Sequence, residues 1–342
     1  MNEQKPESGR RKILSLITHF RGVPAWEQST TRIDQLFEEW PLDSILRRAL
    51  AVASVARTWD EIVFFYDIRL PVLVWLVVFL SRRRNIRNKI VFTTFLCDTR
   101  RFNRSSMLIN PLNVLHYLYL CVFVRICRIV IVHSSAEVEE YSKVFRVPST
   151  RFYFVPYFVR DDALAPDDKF PMHRDGRVVA VGRNRDYNTF IRAISGTKIP
   201  ATIIAGASDA QSIVIENDAI VEVRIEVPFQ EYRAAIRHAG MCVIPIGTDM
   251  VRSLGQIALL EAVAAKTPVI AARVSQLTDY FENEILFYRA GDFEDLRGRL
   301  QQALASKEAN IERTEAAFAR MIRDYTSDRY TRKLLQLCES FG

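Results

Sequence analysis

Short apolar runs alternate with helix-forming segments through most of this chain, and this alternation restricts its fold more than any other feature. Runs such as EIVFFYD (61–67), RIVIVHSS (128–135) and RVVAVG (177–182) are rich in β-branched and aromatic residues. Strands that are apolar on both faces and separated by helices form parallel sheets covered by helices on both sides. The sequence therefore predicts an α/β protein.

The alternation is interrupted once, by RDDALAPDDKFPM (160–172), which is charged, contains two prolines and shows no apolar periodicity. We expect this segment to link an N-terminal α/β domain over residues 1–160 to a C-terminal one over residues 173–325. A chain of 342 residues is long enough for two domains of ordinary size. A last helix is expected within residues 326–342, and the sequence leaves open whether it packs back on the first domain.

The net charge of +7 is unevenly distributed between the two halves. Residues 1–160 contain 24 Lys and Arg against 14 Asp and Glu, a net charge of +10. The remainder contains 23 against 26, a net charge of −3. We therefore expect the basic N-terminal half to meet an anionic partner.

Basic residues crowd the stretch 82–104, between the apolar segments 70–80 and 112–124, and Asp98 is its one acidic residue. Basic side chains beside apolar surface suit an anionic membrane, so we predict a cytoplasmic protein that is peripheral on the inner face of the membrane. The alternative is that both apolar segments are internal helices and that the arginines are a solvated surface. No recognised nucleic-acid-binding motif accompanies the charge, so nucleic acid is not an expected partner. The basic residues are Arg82, Arg83, Arg84, Arg87, Lys89, Arg100, Arg101 and Arg104.

Metal sites, disulfides and membrane spans are not expected. The five cysteines form no Cys-x-x-Cys pair and do not cluster with the histidines, as in a cytosolic protein with reduced thiols. The longest apolar run, residues 70–80, is too short to cross a bilayer as a helix. The polar start MNEQKPESGRRK does not resemble a secretory signal.

One charged residue stands inside an otherwise apolar helical stretch, GQIALLEAVAAKTPVIAA (255–272). From Ile257 to Ala265 every residue except Glu261 is apolar, and no cation on the same helix lies one turn away. A buried carboxylate without a partner destabilises the fold by several kcal/mol, about as much as removing one partner from a buried ion pair. Hydrogen-bond donors must therefore meet Glu261, either from the protein core or from the adjacent hydroxyls of a ligand such as a ribose.

The residues ahead of this stretch predict a phosphate site. Ser253 and Gln256 have the spacing of a capping box, which predicts a helix N-terminus at Ser253, and Gly255 permits a close approach to the backbone. The helix follows a strand, MCVIPI (241–246), and its first amides and dipole would attract a phosphate. A nucleotide would supply both the phosphates and the ribose hydroxyls.

Three segments resemble the GT-B glycosyltransferases of the large retaining group that uses nucleotide-diphosphate sugars (glycosyltransferase group 1, family 4-like). SLGQIALLEAVAAKTPVIAA resembles the signature of this group, and VVAVGRNRDYNTFIRAI (178–194) resembles its strand, Gly-Arg and helix. EVPF (226–229) followed by EYRAAIRHAGMCVIP is similar to its next stretch. The resemblance implies two Rossmann-like domains with parallel sheets facing a central cleft.

The resemblance also implies roles for individual residues on the donor side. Glu261 would bind the ribose of the donor, and Arg183 would contact its phosphates. The first glutamate of the group falls on Ser253 here, and its lysine falls on Asn188, for which Arg185 is the candidate replacement. The segment expected to give backbone donors to the diphosphate contains Ser253, Leu254, Gly255 and Gln256.

On the acceptor side the resemblance is weaker. The group often has a His-Asp pair after the strand that matches KIVFTTF, and here only Asp98 of that pair remains, which leaves open a plain salt bridge with Arg100 or Arg101. His19 ends the first strand, where the group has a glycine-rich acceptor loop of which Gly22 remains. Asp98 and His19 are therefore the candidate catalytic residues, and Gly22 is a candidate on the acceptor side.

The resemblance predicts a metal-independent, retaining hexosyltransferase without a cofactor. It would move a sugar from a UDP- or GDP-sugar to a lipid-linked or glycan acceptor in polysaccharide or glycoconjugate biosynthesis. The departures at Ser253 and Asn188 keep open a catalytically inactive binding subunit of a polysaccharide assembly complex. A dehydrogenase is disfavoured because no Gly-x-Gly-x-x-Gly follows the first strand.

Overall fold

The structure, a computed structural model, forms two compact units, residues 1–155 with 328–342 and residues 156–327. Each unit contains one parallel sheet flanked by helices, as the alternation of apolar and helical segments predicts. The residues that the structure describes are 11–17, 20, 22–37, 44–65, 67–80, 86, 89–159, 161–164, 175–215, 218–247 and 252–340.

The sheet of the first unit has six parallel strands. They are β1 (Ile13–Ser15), β2 (Thr30–Arg32), β3 (Glu61–Phe65), β4 (Ile90–Thr93), β5 (Ile129–Val132) and β6 (Phe152–Phe154). Their order is β2-β1-β3-β4-β5-β6, and β4 and β5 are buried along their whole length. Both faces of these strands are covered, which is why their sequences are continuous apolar runs.

Before the chain enters the second unit, the structure describes helices α1 (Pro24–Ser29), α2 (Ile45–Val55), α3 (Arg69–Leu80), α4 (Arg104–Ile109), α5 (Pro111–Ile126) and α6 (Ser135–Phe145). The sequence RIDQLFEEW (32–40) predicts a helix, but its described part, residues 32–37, contains no α-helix. It continues from β2 into a single 3-10 turn, Ile33–Gln35, because the Gln35 side chain accepts a hydrogen bond from the Arg32 N–H.

The sheet of the second unit also has six parallel strands. They are β7 (Val178–Gly182), β8 (Ala201–Ala205), β9 (Val221–Ile225), β10 (Met241–Ile244), β11 (Val269–Ala272) and β12 (Leu286–Tyr288). Their order, β12-β11-β10-β7-β8-β9, reverses between β7 and β10. The loops that leave these two strands diverge, and such a reversal is where open α/β sheets bind ligands.

The helices of the second unit are α7 (Asp161–Leu164), α8 (Tyr187–Ile194), α9 (Ala207–Ala210), α10 (Phe229–His238), α11 (Gln256–Ala264), α12 (Ser275–Thr278), α13 (Phe293–Ala305) and α14 (Lys307–Asp324). The short helix α7 lies inside the segment expected to be a linker, and Arg160 and residues 165–172 of that segment lie outside the described residues. The unit boundary falls at Val155, five residues before the expected one.

The C-terminal helix, α15 (Ser327–Ser340), packs on the first unit. The Arg11 guanidinium donates a hydrogen bond to the Cys338 carbonyl oxygen at 2.9 Å. The Tyr330 ring lies 5.7 Å from the Phe20 ring and 6.2 Å from the His133 ring. The chain therefore returns to its first unit after completing the second.

A buried ion-pair cluster lies in the first unit, at the start of strand β3. Glu61 begins β3 and is fully buried, and its Oε1 accepts hydrogen bonds from Arg128 and, at 2.6 Å, from Arg11. Its other oxygen, Oε2, has no hydrogen-bond partner among the described residues. Burial raises the pKa of Glu61 from 4.5 to about 7, and the attraction of Arg128 and Arg11 only partly offsets this effect.

This cluster predicts a pH-dependent stability that Glu61→Gln removes. Because the folded protein holds the Glu61 proton more tightly than the unfolded chain, the contribution of this group is complete below about pH 4.5 and is lost as the pH rises through 7. A shift of this size corresponds to about 3 kcal/mol. We expect the wild type to lose up to this amount of unfolding free energy relative to Glu61→Gln between pH 5 and pH 8, as measured by urea denaturation.

The comparison with Glu61→Gln isolates this group from other titrating residues. Burial lowers the pKa of His133 to about 4, which makes stability fall as the pH decreases below 6.5, the opposite trend. His133 is present in both proteins, so its effect cancels in the difference. Parallel stability curves for the two proteins across this pH range would show that Glu61 stays ionised in the fold.

Candidate functional site

The predicted donor-side residues flank the strand-order reversal of the second unit. Arg183 and Arg185 follow β7, residues 252–255 belong to the connection from β10 to α11, and Gln256 begins α11. The two loops are joined by a hydrogen bond of 3.0 Å from the Asp186 N–H to the Pro245 carbonyl oxygen. The structure thus brings these two predicted segments to one end of one sheet.

The loop after β7 is held by a carboxylate that sequence reasoning missed. Asp209 lies on α9 and is buried, and its side chain accepts the N–H groups of Asn184 at 3.0 Å and Arg185 at 3.2 Å. The backbone reaches these positions through positive φ values at Gly182, +120°, and Asn184, +56°. Asp209 therefore fixes the backbone on which the two arginines stand.

The Arg185 side chain folds back over this loop. Its Nε donates to the Val181 carbonyl oxygen at 3.2 Å, and its Nη1 donates to the Arg183 carbonyl oxygen at 2.9 Å. The φ of +120° at Gly182 favours a glycine, and a Cβ there would also lie 2.5 Å from the Arg185 guanidinium. Burial holds the pKa of Arg185 below its ordinary value. A partly buried cation thus lies at the strand-order reversal.

The Arg183 side chain extends into solvent and forms an ion pair. Its Nη2 lies 2.6 Å from the Glu226 Oε2, and the Glu226 Oε1 also accepts the Ala207 N–H at 2.8 Å. Both charged side chains are largely exposed, and exposed ion pairs contribute little to stability. Arg183 can therefore exchange Glu226 for a more highly charged anion at small cost.

The expected helix start at Ser253 is wrong. Helix α11 begins at Gln256, and its N-cap is Gly255, with a φ of +93°. The left-handed conformation of Gly255 turns the chain into the helix, and a Cβ there would lie 2.9 Å from the Ile246 side chain. Ser253 is buried and Leu254 is half-buried ahead of this turn. The N-cap residue of α11, Gly255, has no side chain that could accept a hydrogen bond from the first amides of the helix.

Glu261 is 5% exposed and has a cationic partner on a different helix. Arg233 of α10 donates from Nε to the Glu261 Oε2 at 2.7 Å and from Nη2 to Oε1 at 2.8 Å. Arg233 also reaches Asp162 at 3.0 Å, and its guanidinium lies 4.7 Å from the centre of the Phe229 ring. A protein group therefore satisfies the carboxylate, although its oxygens retain lone pairs beyond the two that Arg233 uses.

A cavity of about 210 Å³ opens beside Glu261. Its aromatic walls include stacked rings of Tyr157 and Phe158, with centres 5.0 Å apart, and the exposed ring of Phe229. The cavity thus combines apolar ring faces with one buried carboxylate, a lining that suits a flat ring bearing hydroxyl groups. Its lining residues are Tyr157, Phe158, Val159, Phe229, Ile257, Leu260 and Glu261.

The position of the lysine expected from the resemblance has a different role here. Asn188 donates from Nδ2 to the Ser212 carbonyl oxygen at 2.9 Å, and its Oδ1 accepts the Val214 N–H at 3.1 Å. The side chain thereby holds the chain segment that follows α9.

The structure describes two of the three acceptor-side candidates of the first unit. Asp98 caps the 3-10 turn Thr99–Phe102 and forms a bidentate ion pair with Arg100, at 2.9 and 3.0 Å, as its alternative interpretation predicted. Gly22 has a φ of +82°, and its N–H donates to the Glu27 carboxylate at 3.0 Å. His19 lies outside the described residues, as do Arg82, Arg83, Arg84 and Arg87.

Within the part of the chain that the structure describes, no group of three or more His, Cys, Asp or Glu side chains is arranged to hold a metal ion. No helix in that part is long and apolar enough to cross a membrane.

Known proteins with the same fold include sugar-transferring enzymes. HepE from Anabaena, crystallised with UDP, superposes with a TM-score of 0.66 at 12% identity, covering 97% of this chain and 100% of that one. Sucrose-phosphate synthase from Thermosynechococcus elongatus gives 0.63 at 16% identity, covering 88% of this chain and 80% of that one. The UDP-forming α,α-trehalose-phosphate synthase from Burkholderia vietnamiensis gives 0.60 at 13% identity, covering 97% and 99%.

A family model described as "Glycosyl transferase-like" matches residues 183–336, which include Arg183, α11 and Glu261. No curated protein matches this sequence. The two parallel six-stranded sheets and the structural matches confirm the predicted fold and the predicted resemblance. The chain therefore has the GT-B fold of two Rossmann-like domains, and its residues 183–336 match the glycosyl transferase-like family model.

Proposed function

We propose that this chain is a glycosyltransferase that moves a sugar from a UDP- or GDP-sugar to a lipid-linked or glycan acceptor. The observation that carries the proposal is that the loop with the two arginines meets the connection into the glycine-capped helix α11 at one strand-order reversal, and that α11 also carries Glu261 beside an aromatic cavity. The family match over residues 183–336 supports it. HepE, which shares the fold, has been crystallised with UDP and with UDP-glucose.

The diphosphate of the donor would lie at the N-terminus of α11. The first amides of that helix and its dipole attract a phosphate, and the absence of a side chain on Gly255 allows the phosphate to approach the backbone. Arg185 lies nearby as a fixed cation, and Arg183 would leave Glu226 to contact the phosphates. These charges would stabilise the nucleoside diphosphate as it departs from the sugar, so the reaction would rely on electrostatic stabilisation by the protein.

The nucleoside would occupy the cavity beside Glu261. The ribose hydroxyls would donate to the lone pairs of the Glu261 oxygens that Arg233 leaves free. The base would stack against the aromatic walls formed by Phe229, Tyr157 or Phe158. Arg233 would thus remain in place and hold the carboxylate towards the ligand.

The acceptor side belongs to the first unit in this proposal. Asp98 would orient an acceptor hydroxyl through an oxygen lone pair that its ion pair with Arg100 does not use, and His19 and Gly22 would line the acceptor. Transfer would proceed with retention of configuration, as the resemblance implies. It would need no metal ion, because the helix end and the arginines would supply the positive charge that the leaving group needs.

We place the reaction at the inner face of a membrane, with the protein in the cytoplasm and peripheral to the lipid. The net charge of +10 in residues 1–160 supports an anionic surface as partner. A lipid-linked acceptor would be presented at that surface, in a pathway of polysaccharide or glycoconjugate biosynthesis.

A binding subunit without transferase activity is the second candidate. Ser253 is buried, and Asn188 is bonded to residues 212–214, so the positions of two donor-binding residues of the group have structural roles here. Such a subunit would bind the nucleotide and catalyse nothing.

A screen of nucleotides and nucleotide sugars by thermal unfolding, followed by transfer assays, tests the proposal. We expect UDP or GDP and the matching sugar nucleotide, at about 100 times their dissociation constant, to stabilise the protein by about 2.7 kcal/mol, which raises the melting temperature by about 4 °C. Labelled sugar should then move to acceptors in native lipid extracts. Stabilisation without transfer or hydrolysis favours the binding subunit, and the absence of stabilisation by every nucleotide contradicts both candidates.

A further inference from the structure

Helix α5 of the first unit exposes an apolar face where a water-facing helix carries polar residues. Its inner face buries Leu120, Phe123 and Val124 against the sheet. Its outer face includes Leu112, Leu115 and Leu118, which are 68%, 63% and 54% exposed, and Val122 one turn further on. A helix that is apolar on both faces normally lies in a core or in contact with lipid.

The neighbouring helices continue this surface. In α3 every residue after Arg69 is apolar, and Leu76, Phe79 and Leu80 are exposed, while the Trp75 ring stacks on Phe79 with centres 5.4 Å apart. Helix α3 packs against both α5 and α2, and α2 adds two exposed leucines. We call this surface the apolar face; its members are Leu46, Leu50, Leu76, Phe79, Leu80, Leu112, Leu115, Leu118 and Val122.

The apolar face has basic surroundings. From Arg69 to Ala136 the sequence contains eleven Lys and Arg residues and a single acidic residue, Asp98, which is paired with Arg100. Two of the eleven pair with carboxylates outside this stretch, Arg69 with Asp67 and Arg128 with Glu61. Among the described residues, Arg47 is exposed between the two leucines of α2, and Arg101 is exposed ahead of α4. In the sequence, Arg82, Arg83 and Arg84 follow Leu80 within four residues. A partner of this surface must therefore be apolar and anionic.

We propose that the apolar face embeds in the interface of a membrane that contains anionic lipids, with its leucines and Phe79 among the acyl chains and the arginines at the headgroups. No described helix is able to span a bilayer, so these helices lie in the interface plane. The face presents large exposed apolar side chains from three helices, and the positive charge of its surroundings matches anionic headgroups. The inference rests on the proposed function for its purpose, which is access to a lipid-linked acceptor.

Vesicle flotation with the full chain tests this surface. The protein is expected to float with phosphatidylcholine vesicles containing 30% phosphatidylglycerol, and to bind vesicles of phosphatidylcholine alone at least tenfold more weakly. Raising the salt from 50 to 500 mM should weaken binding to the anionic vesicles. The double variant Arg47→Gln and Arg101→Gln should weaken it several-fold at low salt.

Variants of the apolar side chains separate the face from general charge attraction. Leu112→Gln, Leu115→Gln and Leu118→Gln combined should reduce binding to anionic vesicles at least tenfold at low salt. The matched control combines Val214→Gln, Ile220→Gln and Ile311→Gln, which change equally exposed residues of the second unit and should leave binding unchanged. Brominated lipids should quench the tryptophan fluorescence of the wild type more than that of Trp75→Phe, because Trp75 contributes to the same surface.

The outcomes distinguish this inference from the donor site. Equal vesicle binding by the leucine variant and its control overturns it. A second result also overturns the inference: the wild type forms a dimer and binds no vesicles, and the leucine variant abolishes the dimer. The apolar face would then join two copies of the chain. Stabilisation by nucleotides is measured on the same samples. If no nucleotide stabilises the protein but vesicle binding depends on the leucines, the proposed function is contradicted and the membrane-binding surface is supported.

Discussion

Glu261→Gln is expected to weaken nucleoside diphosphate binding about 30-fold, a loss of about 2 kcal/mol, as measured by isothermal titration calorimetry. The carboxylate lines the aromatic cavity, and in our proposal it accepts both ribose hydroxyls as charge-assisted hydrogen bonds. A glutamine keeps the size of the side chain and one acceptor but loses the charge and the second acceptor. The affinity for inorganic pyrophosphate, which has no ribose, should remain close to that of the wild type.

Arg233→Met provides the matched control for this result. It breaks the same ion pair from the other side and leaves the carboxylate in the cavity. If Glu261 binds ribose, Glu261→Gln should lose more affinity for the nucleotide per folded molecule than Arg233→Met does. Equal affinities in the wild type and both variants would make Glu261 a structural carboxylate whose one partner is Arg233.

Arg233→Met is expected to lower the free energy of unfolding of the protein by about 3 kcal/mol, as measured by urea denaturation. The substitution leaves the buried Glu261 without its cation, and removing one partner from a buried pair exposes the full desolvation cost of the other. Methionine keeps a flexible side chain that can cover the Phe229 ring in place of the guanidinium, so the loss of charge dominates. Arg233→Lys should recover part of the loss, because a lysine keeps the charge without the bidentate geometry.

An exposed arginine of the same unit separates burial from charge in this measurement. Arg224 pairs with Glu222 at 2.8 Å with both side chains about half exposed, so Arg224→Met should change stability far less. The double variant Arg233→Met with Glu261→Gln should be less destabilised than the sum of the two single variants, because it leaves no lone buried charge. A neutral effect of Arg233→Met would contradict the interpretation that this pair holds α10 to α11.

The sequence predicted most of the strands because parallel strands buried on both faces are continuous apolar runs. Strand β2 was not predicted, because its residues, Thr30, Thr31 and Arg32, are half-buried at the edge of the sheet and do not form an apolar run. The linker was placed on charge and proline content, and α7 within it is too short to show periodicity.

The donor site was found in part. Glu261 stood out as the lone charge in an apolar stretch, but its partner lies 28 residues earlier, and the contact exists only once α10 has packed on α11. The capping box at Ser253 has the correct spacing, yet the conformation of Gly255 decides where the helix begins. Asp209 and Phe229 could not be selected, because acidic and aromatic residues on short loops and helix starts are common and only the fold brings these two to the site.

A crystal structure with the nucleotide that stabilises the protein most is the direct test of the donor site. We predict that the diphosphate lies against the first amides of α11 next to Gly255, and that the ribose hydroxyls donate to Glu261 while Arg233 stays bound to the same carboxylate. A nucleotide bound elsewhere, with Glu261 contacting Arg233 and no part of the ligand, would contradict the proposed donor site.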